Sequence, residues 1–167
     1  YKDEKEQPAD NNLMHAVNGF QPWCDCYQTV HTNCAKPGTI IKVHAGIYKT
    51  NFHDYRDEGG LWLHGMQTFI ADGEPGKPIA IVAAGDGEVI FDANGSDRYF
   101  NIAAADHLYF EGITVRNTRI AFYCGLQGLE ANTGLTVKNC KIENVQFGVL
   151  AQDARSENFY IADNTFI

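Results

Sequence analysis

The chain has 167 residues, 44% of them apolar, and carries 13 Lys and Arg against 21 Asp and Glu, for a formal net charge of −8. That length gives one domain with a sizeable core, and the acidic balance argues against nucleic acid or an anionic membrane surface as the main partner. No apolar run approaches the ~20 residues a helix needs to span a bilayer.

The chain begins at Tyr1 rather than Met, as a processed, tagged or excised piece would, and its polar, charged stretch 1–12 reads as a flexible lead-in. Between Leu13 and Cys34 the apolar residues thicken, and Tyr27, Val30 and Cys34 fall at helical spacing, so the pattern predicts a short amphipathic helix near 23–35, ended by Lys36-Pro37-Gly38. From Thr39 the period changes to two: Ile41 and Val43 alternate with Lys42 and His44, and Ala45-Gly46 turns the chain into Ile47-Tyr48. Alternation over so few residues predicts half-buried strands.

Lys36-Pro37-Gly38-Thr39-Ile40-Ile41-Lys42-Val43-His44-Ala45-Gly46-Ile47-Tyr48 resembles the opening strand of right-handed parallel β-helix proteins of the pectate-lyase-like superfamily, in which a capping helix precedes Pro-Gly-Asp-Thr-Ile and a Gly-x-Tyr turn; the Asp is missing here. Gly76 to Asp92 resembles the next coil of that family, and the likeness runs over about 36–167. It implies an all-β fold, a right-handed single-stranded parallel β-helix with an N-terminal capping helix. It implies an activity only loosely, because the fold hosts lyases, hydrolases, epimerases and non-enzymes.

A long insertion, Lys49 to Thr68, follows the first coil. It gathers His53, Asp54, Tyr55, Arg56, Asp57 and Glu58, with Trp62 and His64 behind them. A loop of that length is functional or disordered far more often than it is a plain connection. One reading is a sugar- or ion-binding loop: Tyr55 or Trp62 stacks on a sugar ring, Arg56 pairs with an acidic sugar, and Asp54, Asp57 and Glu58 hold Ca²⁺. The other is a solvated loop whose Trp62, Leu63 and Met66 pack back on the coil.

The clearest regularity lies at 107–149, which repeats once at an offset of 27. Leu108, Phe110, Ile113 and Val115 become Leu135, Val137, Cys140 and Ile142, and Asn117 becomes Asn144. A unit of that size cannot bury its own apolar face, so the repeat predicts stacking. The same offset sets Glu111 beside Lys138 and Arg116 beside Glu143, pairs worth about 0.2–1 kcal/mol each, and lets the two Asn amides bond one above the other. Threading gives first strands starting at Ile41, Ile79, Leu108, Leu135 and Phe159. The core expectation is Leu108, Phe110, Ile113, Val115, Leu135, Val137, Ile142, Phe147, Val149 and Ile161. The domain reads as 13–167, with cap 13–37 and coils 38–167, the last coil cut within its second strand.

Of the five cysteines, Cys124 and Cys140 fall in phase with inward positions and read as small core residues. Cys24 or Cys26 with Cys34 gives a disulfide stapling the cap; the alternative is Zn²⁺ on the three with His31 or His15, for which the spacing is unusual. Lyases of the resembled superfamily use a cation, often Ca²⁺, and an Arg or Lys base. Arg116, Arg119, Lys141 and Glu143 line up as part of a uronate-binding face, or Arg116 and Glu143 simply pair across the rungs. No pair of Asp of the hydrolase kind stands out on the coils. Three classes follow: a secreted, periplasmic or cell-surface protein that degrades polysaccharide, one that binds a polysaccharide or surface glycan, and a structural subunit whose open C-terminal end docks on a protein partner.

Overall fold

In the computed structural model the described residues are 35–49, 54–56, 62–64, 67–69, 71–102, 105–126, 128 and 130–167, with the backbone alone for 54–56, 62–64 and 67–68. The expected cap helix and the cysteines at 24, 26 and 34 lie outside them. Every regular element among the described residues is a strand, and no helix there is long and apolar enough to cross a membrane.

The strands alternate between two parallel sheets. β1 (Ile40–Val43), β6 (Ile79–Ala83), β8 (Leu108–Glu111), β10 (Thr136–Lys138) and β12 (Tyr160–Ala162) form one sheet in that order. β2 (Gly46–Lys49), β7 (Val89–Ile102), β9 (Ile113–Cys124), β11 (Lys141–Ala151) and β13 (Thr165–Phe166) form the other, and β5 (Gln67–Thr68) also pairs with β7. From β6 on, each pass of the chain gives one strand to each sheet, so neighbours in space are one pass apart in sequence. β3 (Asp54–Arg56) and β4 (Trp62–His64) make a separate antiparallel hairpin.

The register follows the 27-residue offset: Phe110 lies level with Val137, Val115 with Ile142, and Ile120 with Phe147. Earlier the step changes. Ile41 is level with Ile81, not with Ile79 as threaded, and β7 shifts register against β9 between Asp92 and Ser96. Alternation puts one set of side chains between the sheets, where Phe69, Phe91, Tyr99, Phe100, Phe110 and Phe122 form a fully buried aromatic stack. Phe100 stacks on Phe122 with centroids 5.3 Å apart and meets Phe110 at 4.9 Å, within the range of favourable ring pairs. Cys124 and Cys140 are buried free thiols in this core, and burial pushes both thiols above their ordinary pKa.

The bends explain why the passes stay in step. His107, Gly134 and Asn158 precede successive strands of the first sheet. Gly112, Asn139 and Asp163 lie between the sheets, and Asn94, Asn117 and Asn144 sit within the long strands of the second. All nine have positive φ between 50° and 74°, a region open to Gly and, at lower cost than for most residues, to Asn and Asp. That conformation turns the amide along the stack: His107, Gly112, Gly134, Asn139 and Asn144 each donate their backbone N–H to a carbonyl of the next pass.

The core expectation needs one correction. Seven of the ten residues are buried, but Phe147 and Ile161 are 37% and 40% exposed and Val149 is only half-buried. These three sit on the last passes, β11 and β12, where no further described strand lies over them, so their apolar surface has no partner on that side.

Candidate functional site

The long strands β7, β9 and β11 bend outward at Asn94, Asn117 and Asn144, and the bends line an open groove of about 690 Å³. Asn94, Gly95, Ser96 and Asp97 come from β7, Asn117, Thr118 and Arg119 from β9, and Asn144 from β11. At ~4.8 Å per strand, three strands give the groove a length of about 10 Å.

Hydrogen bonds order its floor. The Asn144 amide donates to Asn117 Oδ1 at 2.8 Å, and the Asn117 amide donates to Asp92 Oδ1 at 2.9 Å. Thr118 donates its hydroxyl to the Ser96 carbonyl at 2.9 Å. The ladder skips Asn94, because the register shift between Asp92 and Ser96 carries that residue out of the column; its backbone N–H donates to Asp92 Oδ1 instead. The stacked Asn117–Asn144 pair agrees with the sequence reading, and Asp92 extends the row by a pass that it lacked.

Charges above and below the bend are matched. Arg119 grips Asp97 through Nε and through Nη2 at 3.1 Å, and Arg98 Nε reaches the same carboxylate at 3.0 Å. Arg98 also lies 3.8 Å over the Tyr123 ring, in cation–π range. On the other side, Arg116 donates to Asp92 at 2.9 Å and lies 3.6 Å from Glu143, whose other oxygen is 2.6 Å from Lys141.

These contacts fix protonation. The Arg119 hydrogen bond holds the Asp97 carboxyl below its ordinary range against the opposing effect of burial. For Asp92, burial pushes upward, but bonds from Asn117, the Asn94 N–H and Arg116 together outweigh it and keep the group low. Lys141 does the same for Glu143. A glycosidase acid must stay protonated near neutrality, and a guanidinium base must be free to lose a proton, which Arg held by carboxylate is not. The arrangement therefore suits holding hydroxyl groups rather than moving protons.

Of the residues singled out from sequence, Arg116 and Arg119 lie here, Arg119 in the groove wall and Arg116 beside it. Arg116 is paired across the strands with Asp92 as well as with Glu143. The hairpin sets Arg56 opposite Trp62, Tyr55 opposite Leu63 and Asp54 opposite His64. His53, Asp57 and Glu58 fall outside the described residues. Among the described residues no group of three or more His, Cys, Asp and Glu is placed to hold a metal ion. Asp92 and Asp97 were missed because their partners stand 24 and 22 residues on rather than 27, the second offset shortened by the bulge after Asp92; an Asp-x-Asn ahead of an Arg-Asn at about one repeat was the available signal.

No family model, no curated protein and no solved structure matches the chain.

Proposed function

We propose that the chain is a right-handed parallel β-helix domain, secreted, periplasmic or on a cell surface, that binds polysaccharide in the groove across β7, β9 and β11. The observation that carries the reading is the groove itself: a row of Asn side chains and an Arg–carboxylate pair, fixed on strands along an open surface. Amides both donate to and accept from sugar hydroxyls, carboxylates accept from them and guanidinium groups donate to them, and a preordered row loses little freedom on binding. Because Arg98, Arg116, Arg119 and Lys141 all have carboxylate partners, neutral sugars suit the groove better than uronates, and binding suits it better than lyase chemistry. The β3–β4 hairpin is the proposed second contact, with Tyr55, Arg56 and Trp62 toward sugar and Asp54, Asp57 and Glu58 as the ligands for any Ca²⁺.

The test is calorimetric titration of neutral and uronic oligosaccharides into the full chain and into Arg119→Ala and Asp97→Asn. Neutral sugars should bind the wild type and bind Arg119→Ala at least ~10-fold more weakly, the loss of about 1.4 kcal/mol that a charged hydrogen bond supplies. Asp97→Asn releases Arg98 and Arg119 and should shift preference toward uronates. Equal binding by wild type and Arg119→Ala would remove the groove from the proposal.

One observation favours a second reading, an interaction subunit. Tyr160, Ile161, Phe166 and Ile167 are 40–75% exposed on the last strand of each sheet and the residue after it, apolar surface of the kind that docks protein. If light scattering finds the full chain monomeric with no sugar bound, while changing these residues to polar ones abolishes capture of one defined protein, this reading replaces the first.

A further inference from the structure

Asn94, Gly95 and Ser96 form the one Asn-x-Ser/Thr triplet in the chain. Such a triplet is the acceptor for N-linked glycan in chains that enter a secretory compartment. Asn94 and Gly95 are exposed at the outward bend of β7. A Cβ built on Gly95 meets nothing within 4 Å, so the space beside the acceptor is open. Asn117 and Asn144, at the equivalent bends, spend their amides on the ladder. Asn94 is shifted out of that ladder, and the fold engages it through its backbone N–H. A substituent on its side-chain nitrogen therefore breaks none of the ladder bonds.

We propose that Asn94 is an N-glycosylation site whose first sugar lies at the mouth of the groove. The Asn94 side-chain nitrogen attacks the anomeric carbon of a lipid-diphosphate-linked oligosaccharide. The N–C bond forms, the C–O bond to phosphate breaks, the lipid diphosphate leaves, and the amide proton passes to the base of the transferring enzyme. The structure also orders the event. Ser96 is 6% exposed, its hydroxyl donates to the Arg98 carbonyl at 3.1 Å, and its own carbonyl accepts from Thr118 at 2.9 Å. An enzyme that reads the hydroxyl of the third residue cannot reach it in the folded domain, so transfer precedes the closing of β7 on β9. The site is independent of the function proposed above; only the statement that the attached sugar crowds the groove rests on it.

The experiment is cell-free translation of the full chain, behind a cleavable secretory leader, into endoplasmic-reticulum microsomes, scoring only the protease-protected product. The wild type and Ser96→Thr should show one upward gel shift that endoglycosidase removes, and Asn94→Gln none. These readouts do not require the variants to fold. A protected wild-type chain without the shift overturns the site, as does a shift that persists in Asn94→Gln. Folded, unglycosylated chain offered to the same membranes opened with detergent should stay unmodified while an acceptor peptide is glycosylated; modification of the folded chain overturns the ordering. Where unglycosylated chain binds neutral oligosaccharide, the glycosylated form should bind it at least tenfold more weakly, and equal affinity overturns the placement at the groove mouth. Failure of the unglycosylated chain to bind any sugar strikes the proposed function, and the gel shift alone then decides whether Asn94 is glycosylated.

Discussion

Tyr48, Phe91, Val115, Ile142 and Phe166 lie level with one another across five strands of the second sheet, and this row offers an internal control on the stacking. Phe91 is fully buried and packs on Tyr48, Tyr99 and Phe100 with centroids 5.3–5.5 Å away. Phe166 occupies the same row but is 57% exposed. Phe91→Ala removes a ring enclosed on all sides and should cost about 3–5 kcal/mol, the transfer term plus the cavity left behind. In Phe166→Ala less than half of the ring's surface returns to water and no closed cavity forms, so the loss should be roughly 1 kcal/mol. Urea unfolding followed by circular dichroism measures both, with an unchanged slope required before midpoints are compared. For a domain of this size the first variant should melt roughly 6–20 °C lower and the second roughly 2–4 °C lower. Equal losses, or a larger loss for Phe166→Ala, would show that the row is not stacked in this register.

Asp92 links stability to pH. Its folded pKa lies below the unfolded value of about 3.9, so its contribution is complete above that value and is lost as pH falls through the folded one. Asp92→Asn should therefore be less stable than wild type by roughly 1–2 kcal/mol at pH 7, and the gap should close below about pH 4; a gap unchanged at pH 3 would place its origin elsewhere. Cys124 and Cys140 are buried and their thiols are shifted upward, so neither should be alkylated in the folded chain at pH 8, and both should react in urea. Site-resolved mass spectrometry decides, and rapid modification of Cys124 in the folded state would contradict the core assignment.

Strand positions were legible in the chain because they depend on local alternation, and the 27-residue offset was legible because stacking requires equal residues at equal heights. The Asn117–Asn144 pair and the inward Cys124 and Cys140 followed from the same offset. What the sequence could not show was where the offset changes. A bulge between Asp92 and Ser96 is a local lengthening with no composition of its own. Its effect is spatial: it moves Asn94 out of the amide ladder, brings Asp97 under Arg119, and opens the groove. The exposure of Phe147 and Ile161 was hidden for a related reason, since periodicity reports which way a side chain points and not whether another layer lies beyond it. Composition and period thus determined the strands and the step between passes, while pairing across passes decided which charges are neutralised and where a ligand can enter, because those depend on distances between residues 22 to 27 apart that only the stacked chain brings to contact.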